Sequence, residues 1–178
     1  MKAVKATLGI AILVSGIFCA SAAFGTAAAS TPAAGTVTLY LTENPSGTGG
    51  TTVITGAIGD YGKTTEMKVQ NGLSVVKLRK GTFEENTAKI SAALNAAPTT
   101  SNNSTCSFSA SATAPVTLLD GTGLYAGISG TLNFTINVGF VLPLYKSGSK
   151  KGQCNTSNNV VPLAEIDFII GTGKVSFS

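Results

Sequence analysis

Alternation of apolar and polar residues is the feature that most limits what this chain can fold into. Residues 36–42 (TVTLYLT) place an apolar or aromatic side chain at regular steps of two, and residues 128–142 (ISGTLNFTINVGFVL) repeat the pattern over a longer stretch. Successive side chains of a strand point to opposite faces, so this period predicts strands with one buried and one solvated face. The predicted strands are residues 36–42, 53–58, 66–70, 73–79, 106–119, 128–142, 161–170 and 174–178.

These strands predict an all-β domain, with a closed barrel favoured over a sandwich. Residues 66–70 and 73–79 flank Asn71-Gly72, a dipeptide that suits a two-residue hairpin turn. Residues 86–96 (NTAKISAALNA) are the only predicted helix, so no regular alternation of strands and helices indicates a parallel sheet. Pairing of the last strand with the first would remove an exposed sheet edge. The predicted fold is therefore an eight-stranded antiparallel β-barrel with one short helix.

The first 29 residues have the three-part pattern of an export signal. Lys2 and Lys5 form a short basic start, residues 8–18 (LGIAILVSGIF) are apolar, and small residues follow. A signal peptidase accepts small side chains before its cut, which places cleavage between residues 22 and 29. The apolar run is too short for a bilayer core of about 30 Å. The sequence predicts a secreted protein, extracellular or in the cell envelope, with one domain (residues 30–178) and no membrane span after signal removal.

The cysteines also indicate export. Cys19 lies at the end of the apolar run and is expected to leave with the signal, because Phe18 before it does not suit lipoprotein processing. Cys106 and Cys154 then remain, and two cysteines in an oxidising compartment predict a disulfide bond. In the chain-entropy model, closing a loop of this length stabilises the domain by about 4 kcal/mol.

Charge and residue types exclude several classes of function. The chain has 12 Lys+Arg against 8 Asp+Glu, and the basic residues are scattered without accompanying aromatics, so nucleic-acid binding is not expected. The absence of histidine excludes Ser-His-Asp and Cys-His catalysis and the commonest zinc ligands. We therefore predict no catalytic residue, no cofactor and no metal site.

The most distinctive segment is residues 121–132 (GTGLYAGISGTL). Its glycines suit a tight turn and a bend into a long strand, while its aromatic residue suits the closing of one end of a core. The segment resembles the G-[TS]-G-x-[FY]-x-G-x-x-G signature of the allene oxide cyclase and dirigent barrels. Residues 154–159 (CNTSNN) are similar to a CxxSxN loop of uncharacterised secreted actinobacterial barrels. The motif positions are Gly121, Gly123, Tyr125, Gly127 and Gly130.

The resemblance implies a calycin-like barrel with an apolar interior, in which plant members bind or convert a hydrophobic small molecule. The acidic catalytic residues of that family match no identifiable position here, so none is carried over. The missing catalytic groups favour a non-catalytic binding or envelope-associated protein, whose partner would be a cell-envelope component. The alternative is a barrel that binds or converts a hydrophobic small molecule. A packed interior would favour the first function, and an apolar cavity holding a carboxylate the second.

Alternation also predicts which side chains fill the barrel. If Ile166 and Phe168 point inward, Glu165 and Asp167 point outward, which argues against that pair as a catalytic centre. Tyr125 is expected at a barrel end, with its hydroxyl near solvent or a backbone partner. The side chains predicted to be buried are Val37, Leu39, Leu41, Ile54, Val76, Leu78, Leu132, Phe134, Ile136, Val138, Ile166 and Phe168.

Overall fold

A computed structural model describes residues 32–43, 49–65, 72–157 and 159–178. The predicted export signal, the predicted strand at residues 66–70 and Asn71 of the predicted hairpin lie outside the described residues. The strands are β1 (Gly35–Glu43), β2 (Gly49–Gly56), β3 (Asp60–Thr65), β4 (Leu73–Leu78), β5 (Gly81–Asn86), β6 (Thr100–Asn102), β7 (Ser107–Leu119), β8 (Ile128–Val141) and β9 (Ala164–Phe177). One helix, α1 (Ala88–Ala96), connects β5 to β6.

Eight of these strands form a closed antiparallel barrel, which confirms the predicted fold class. The sheet runs β5-β4-β3-β2-β1-β9-β8-β7, and pairing between β5 and β7 closes it. The first and last strands pair along their length, from Gly35 opposite Val175 to Glu43 opposite Asp167, so neither is left as an open edge. The short strand β6 lies outside the ring and pairs with the start of β7.

The barrel interior is filled by the apolar members of the alternating strands. Nine of the twelve side chains predicted to be buried are buried, and Val138 is partly buried against the same core. Ile166 and Phe168 are the exceptions, with 65% and 37% of their surfaces exposed. The prediction for these two residues was wrong, and with it the prediction that Glu165 and Asp167 point outward.

Two glycines explain this error in β9. Residues 171–173 (GTG) were predicted to be a turn between two strands, but they lie in the middle of one continuous strand. Gly171 and Gly173 face the interior, where a Cβ would overlap the ring of Phe134 or the backbone beside Leu132. They leave room for large side chains on the neighbouring strand. Side chains at even spacings along a strand share a face, so Glu165 and Asp167 lie on the inner face together with Gly171 and Gly173.

Other element boundaries also differ from the sequence predictions. Asp60 and Tyr61 lie outside the strands predicted at residues 53–58 and 66–70, yet they begin β3. Strand β5 was not predicted, because residues 81–86 (GTFEEN) contain one large apolar residue, Phe83. The helix begins at Ala88 rather than Asn86, whose Oδ1 accepts a hydrogen bond from the Ala88 N–H at 3.2 Å.

The predicted cysteine pair lies at disulfide distance, with the two sulfur atoms 2.02 Å apart. Cys106 directly precedes β7, and Cys154 lies in the long connection between β8 and β9. The bond therefore ties this connection to the barrel wall. Within the described ranges, no helix is long and apolar enough to cross a membrane.

Candidate functional site

The two ends of the barrel differ in chemistry. We call the end where β1 and β5 finish the carboxylate end, because Glu43, Glu85, Glu165 and Asp167 lie there on the inner face. These are four of the eight acidic residues of the chain. We call the opposite end, where β3 and β5 begin, the tyrosine end, after Tyr125.

Strand parity places the acidic side chains inside. Glu43 continues the alternation of the buried Leu39 and Leu41 and pairs with Asp167 on β9. Glu85 likewise follows the fully buried Phe83 by two residues on β5. Because side chains two apart on a strand share a face, the apolar core gives way to carboxylates as these strands leave the barrel.

Glu85 is the most deeply buried of the group, with 2% of its surface exposed. Its Oε2 accepts a hydrogen bond from Ser74 Oγ at 3.3 Å. Its Oε1 is buried and has no hydrogen-bond partner among the described residues. Burial, together with the nearby charge of Glu43, raises the pKa of Glu85 to about 8 despite the Ser74 hydrogen bond. A carboxyl with such a pKa carries its proton at neutral pH.

Glu43 and Asp167 are less buried, but each also has a buried oxygen without a partner among the described residues, Oε1 of Glu43 and Oδ1 of Asp167. Burial raises the pKa of Glu43, and the neighbouring Asp167 raises it further. Burial also raises the pKa values of Asp167 and Glu165, the latter with a contribution from Asp167. The repulsion links the carboxylates into one electrostatic group.

A small cavity is lined by two of these carboxylates and by core side chains. Its volume is about 10 Å³, which is room for a single water-sized group. Glu43 and Glu85 line it together with aliphatic and aromatic side chains. The full lining is Leu41, Glu43, Ser74, Glu85, Thr87, Ile90, Phe134, Ile136 and Ile169.

Beyond the cavity, β7 and β8 extend past the closed part of the barrel. There the rings of Phe108 and Phe140 stack with centroids 5.4 Å apart. They line an open groove of about 420 Å³, with Glu165 and residues of the connection before β9 on its other side. The volume is in the range of small-molecule sites.

The tyrosine end contains the sequence motif. Gly121 and Gly123 lie in the β7–β8 connection, whose single 3₁₀ turn is Gly123–Tyr125, while Gly127 and Gly130 lead into and lie within β8. Gly121 has no room for a Cβ, because the Tyr125 carbonyl occupies that space, and Gly123 has a φ of +62°. These glycines let the chain fold back tightly over the barrel opening.

Tyr125 closes this end as predicted, but its hydroxyl partner differs from the prediction. The residue is fully buried, and its hydroxyl donates to Asp60 Oδ2 at 2.5 Å rather than to solvent or backbone. Asp60 also accepts from the N–H groups of Tyr61 and Lys80. Burial works to raise the pKa of Asp60, but the Tyr125 hydroxyl, the two N–H donors and the Lys80 charge outweigh it and lower the pKa. Burial and the bond to Asp60 raise the pKa of Tyr125.

The outer face of the barrel carries a row of apolar side chains across four strands. Register places Tyr61 opposite Val53, Val53 opposite Tyr40, and Tyr40 opposite Ile170. Tyr40 and Val53 are each 40% exposed, and Tyr61 is 53% exposed. We call these four residues the outer row. The next cross-strand neighbours, on β8 and β7, are Thr135 and Thr113, so the apolar surface ends at β9.

Cationic side chains lie beside the outer row. Lys63 and Lys77 are direct cross-strand partners and are both exposed. The guanidinium of Arg79 lies 5.1 Å from the ring centre of Tyr61 and donates to its hydroxyl. Lys80 donates to the Gly59 carbonyl at 2.9 Å. We call Lys63, Lys77, Arg79 and Lys80 the cationic cluster.

The carboxylate end was missed at the sequence level, although part of its signal was present. Glu43 directly extends the alternation of residues 36–42, so its inward direction could be read from the same pattern. Glu85 carried no such signal, because its strand was not recognised. No group of three or more Asp, Glu or Cys side chains within the described ranges is arranged to hold a metal ion.

Comparison of the chain with protein-family models, with curated proteins and with solved structures finds no match. The resemblance to allene oxide cyclase and dirigent barrels therefore stays a prediction drawn from the motif. The fold itself is that of a closed eight-stranded antiparallel barrel.

Proposed function

We propose that the chain is an exported, non-catalytic binding protein that contacts an anionic polymer of the cell envelope through the outer face of its barrel. The observation that carries this proposal is the position of the cationic cluster directly beside the exposed outer row. Together they offer a contact surface of aromatic rings and positive charges. Exposed apolar surface with a charged border is typical of interaction sites.

The charges support an anionic partner. Lys63 and Lys77 face each other across the β3–β4 ladder, where like charges destabilise the sheet. Within the described ranges, neither has a carboxylate partner that would offset the repulsion. An anionic group bound between them would remove this cost, and exposed charges of this kind respond to salt.

The close packing of the barrel interior favours a binding site on the outside of the barrel. Phe83, Leu39 and Leu132 are fully buried and fill the interior, and the fully buried Tyr125 closes one end. The cavity beside Glu85 holds about 10 Å³, far below the volume of a hydrophobic small molecule. A hydrophobic small molecule that enters the barrel would have to displace packed side chains.

The alternative, binding of a hydrophobic small molecule, is favoured by one observation. The groove at Phe108 and Phe140 has a suitable volume, a lining that is mostly apolar, and the carboxyl of Glu165. On this alternative, the ligand lies in the groove rather than in the closed barrel.

Polymer binding is tested by calorimetric titration of the protein with polygalacturonate and, as the neutral control, with dextran. We expect binding to polygalacturonate alone, weakening as salt increases. The double variant Lys63→Gln/Lys77→Gln should lose most of this binding. The double variant Lys89→Gln/Lys174→Gln has the same net charge and changes exposed lysines elsewhere, so it should retain binding. Equal losses in both double variants would show that only net charge matters and would contradict the proposed site.

The alternative is tested in parallel with an uncharged fluorescent apolar probe, N-phenyl-1-naphthylamine. Saturable binding that Phe140→Ser abolishes, combined with no binding of polygalacturonate, would replace the proposed function by the alternative.

A further inference from the structure

We propose that the carboxylate end contains a second binding site, which takes a primary ammonium group carried by an aliphatic amine and holds it between Glu43 and Glu85. This site lies inside the barrel end and does not depend on the function proposed for the outer face.

The first argument is the set of hydrogen-bond acceptors without donors. Glu85 and Glu43 both line the cavity, and each has a buried Oε1 with no partner among the described residues. Nearly all buried polar atoms in proteins find a partner, because a buried group without one costs about 1–3 kcal/mol. Two carboxyl side chains that line one cavity, each with such an oxygen, point to a donor bound between them.

The second argument is charge. Glu43 and Glu85 interact with each other electrostatically, and Asp167 adds its charge to Glu43. Glu165, two residues from Asp167 on the same face, extends this negative region to the rim. The rest of the wall does not offset it: β4 contributes Ser74, α1 contributes Ile90, and Thr87 directly precedes α1, and none of the three is charged. Within the described lining there is no cation, so this region favours a positively charged donor over a neutral one.

The third argument is size and shape. A cavity of about 10 Å³ accepts one water-sized group, and a primary ammonium group has that size. Its three N–H groups match acceptor oxygens, whereas quaternary ammonium groups have no N–H donor and are larger. The carbon chain has no room inside this volume and would leave it towards solvent, on the side marked by the partly exposed Glu43.

A metal ion fits the arrangement less well. Metal–oxygen distances are about 2.0–2.6 Å, which requires the ligand oxygens to converge tightly. No group of three potential ligands in the described part of the chain does so. An ammonium group bonds at about 2.7–2.9 Å and accepts a wider spacing of carboxylates.

The proposal also accounts for the protonation of Glu85. Its carboxyl retains a proton up to a pH of about 8 in the free protein, because the charge is buried without compensation. An ammonium group supplies the missing charge, so binding should release this proton. Affinity should therefore rise from pH 6 to pH 8, with a slope that approaches tenfold per pH unit.

The test is calorimetric titration of the protein with butylammonium in buffers of different ionisation enthalpy, which reports bound ligand and released protons together. The controls are n-butanol, which has the same chain without charge, tetramethylammonium, which has charge without N–H donors, and potassium, which has a similar size. The expected result is binding of butylammonium with proton release and weak or no binding of the three controls.

Two isosteric variants locate the site. Glu85→Gln should weaken butylammonium binding by about tenfold or more, the effect expected for loss of a charge-assisted hydrogen bond. Glu43→Gln provides the same test if Glu85→Gln does not fold. Glu84→Gln is the matched control, because Glu84 is the neighbour of Glu85 on the same strand and points to the opposite face.

Unchanged affinity in both Glu85→Gln and Glu43→Gln would overturn the proposal. Equal binding of butylammonium and butanol would also overturn it, since the chain alone would then explain the affinity. Equal or tighter binding of potassium would replace the ammonium site by a site for monovalent metal ions.

Discussion

The tyrosine end and the carboxylate end close the same barrel in opposite ways. At the tyrosine end, the buried carboxylate of Asp60 accepts three hydrogen bonds, and its pKa is lowered. At the carboxylate end, Glu85 is also buried, but it has one long hydrogen bond and an oxygen without a partner, and its pKa is raised to about 8. Burial disfavours the charged form of both carboxyls, and the number of hydrogen bonds that each accepts decides which of the two remains ionised.

The difference indicates a division of roles between the ends. A buried carboxylate with all its partners rigidifies the structure, whereas one without partners costs stability and is retained where it serves a ligand. The tyrosine end therefore has the features of a purely structural contact, and the carboxylate end has the features of a binding site. Three predictions test this contrast, and a fourth compares both ends with the outer row.

The largest effect is expected at the tyrosine end. Tyr125→Ala removes a fully buried ring that packs edge-on against Phe83 with centroids 5.7 Å apart. We expect a loss of about 3–5 kcal/mol in the free energy of unfolding, as for other buried aromatic residues. Tyr125→Phe keeps the ring and deletes the bond to Asp60, so it should cost about 1–3 kcal/mol. Denaturant unfolding measures both, and equal costs would show that the hydroxyl accounts for the whole effect.

The next effect concerns the glycines. Gly127 and Gly148 both have positive φ, +73° and +78°, so valine at either position is strained by about 1–2 kcal/mol. A Cβ at position 127 would in addition overlap the backbone of Ser178, whereas nothing lies within 4 Å at position 148. Gly127→Val should therefore lower the melting temperature more than Gly148→Val. Equal melting temperatures would mean that Ser178 moves aside freely and that this part of the tyrosine end is not tightly packed.

At the carboxylate end the effect should depend on pH. The folded state holds the proton of Glu85 up to about pH 8, while the unfolded state releases it near the ordinary value of 4.5. Stability contributed by this group is thus fully present below pH 4.5 and falls by up to about 1.4 kcal/mol per pH unit towards pH 8. Glu85→Gln removes this dependence, so it should be more stable than the wild type at pH 8.5 but not at pH 4.5. Parallel stability curves for the two proteins would show that Glu85 ionises normally in the folded state.

The smallest effect on stability is expected on the outer row. Tyr61→Ala changes a residue that is 53% exposed, and we expect a change within about 0.5 kcal/mol in unfolding free energy. Its contribution should appear instead as weaker polygalacturonate binding in the titration described above. A large loss of stability would mean that the contact with Arg79 supports the barrel wall rather than a partner.

Alternation predicted most of the fold because it survives in nearly every strand. The interior positions of β1 and β8, such as Leu39 and Phe134, follow directly from it. Strand β5 escaped prediction because Glu85 occupies an inward position where a pattern search expects an apolar residue. The inward position of Glu85 thus made the strand hard to predict, and it is also what makes the carboxylate end unusual.

What the sequence determined by itself is the period of each strand, the antiparallel barrel class and the cysteine pair. What only the tertiary structure decided is which face of β9 is inside. Period-two alternation defines two faces of a strand but does not say which of them is buried. In β9, Ile166 and Phe168 lie on one face, and Glu165 and Asp167 lie on the other. The neighbouring strands decide the question, because Phe134 needs the space left by Gly171 and because Glu43 is paired with Asp167. Packing against partner strands outweighed the hydrophobicity of β9 itself, and it brought the carboxylates inside.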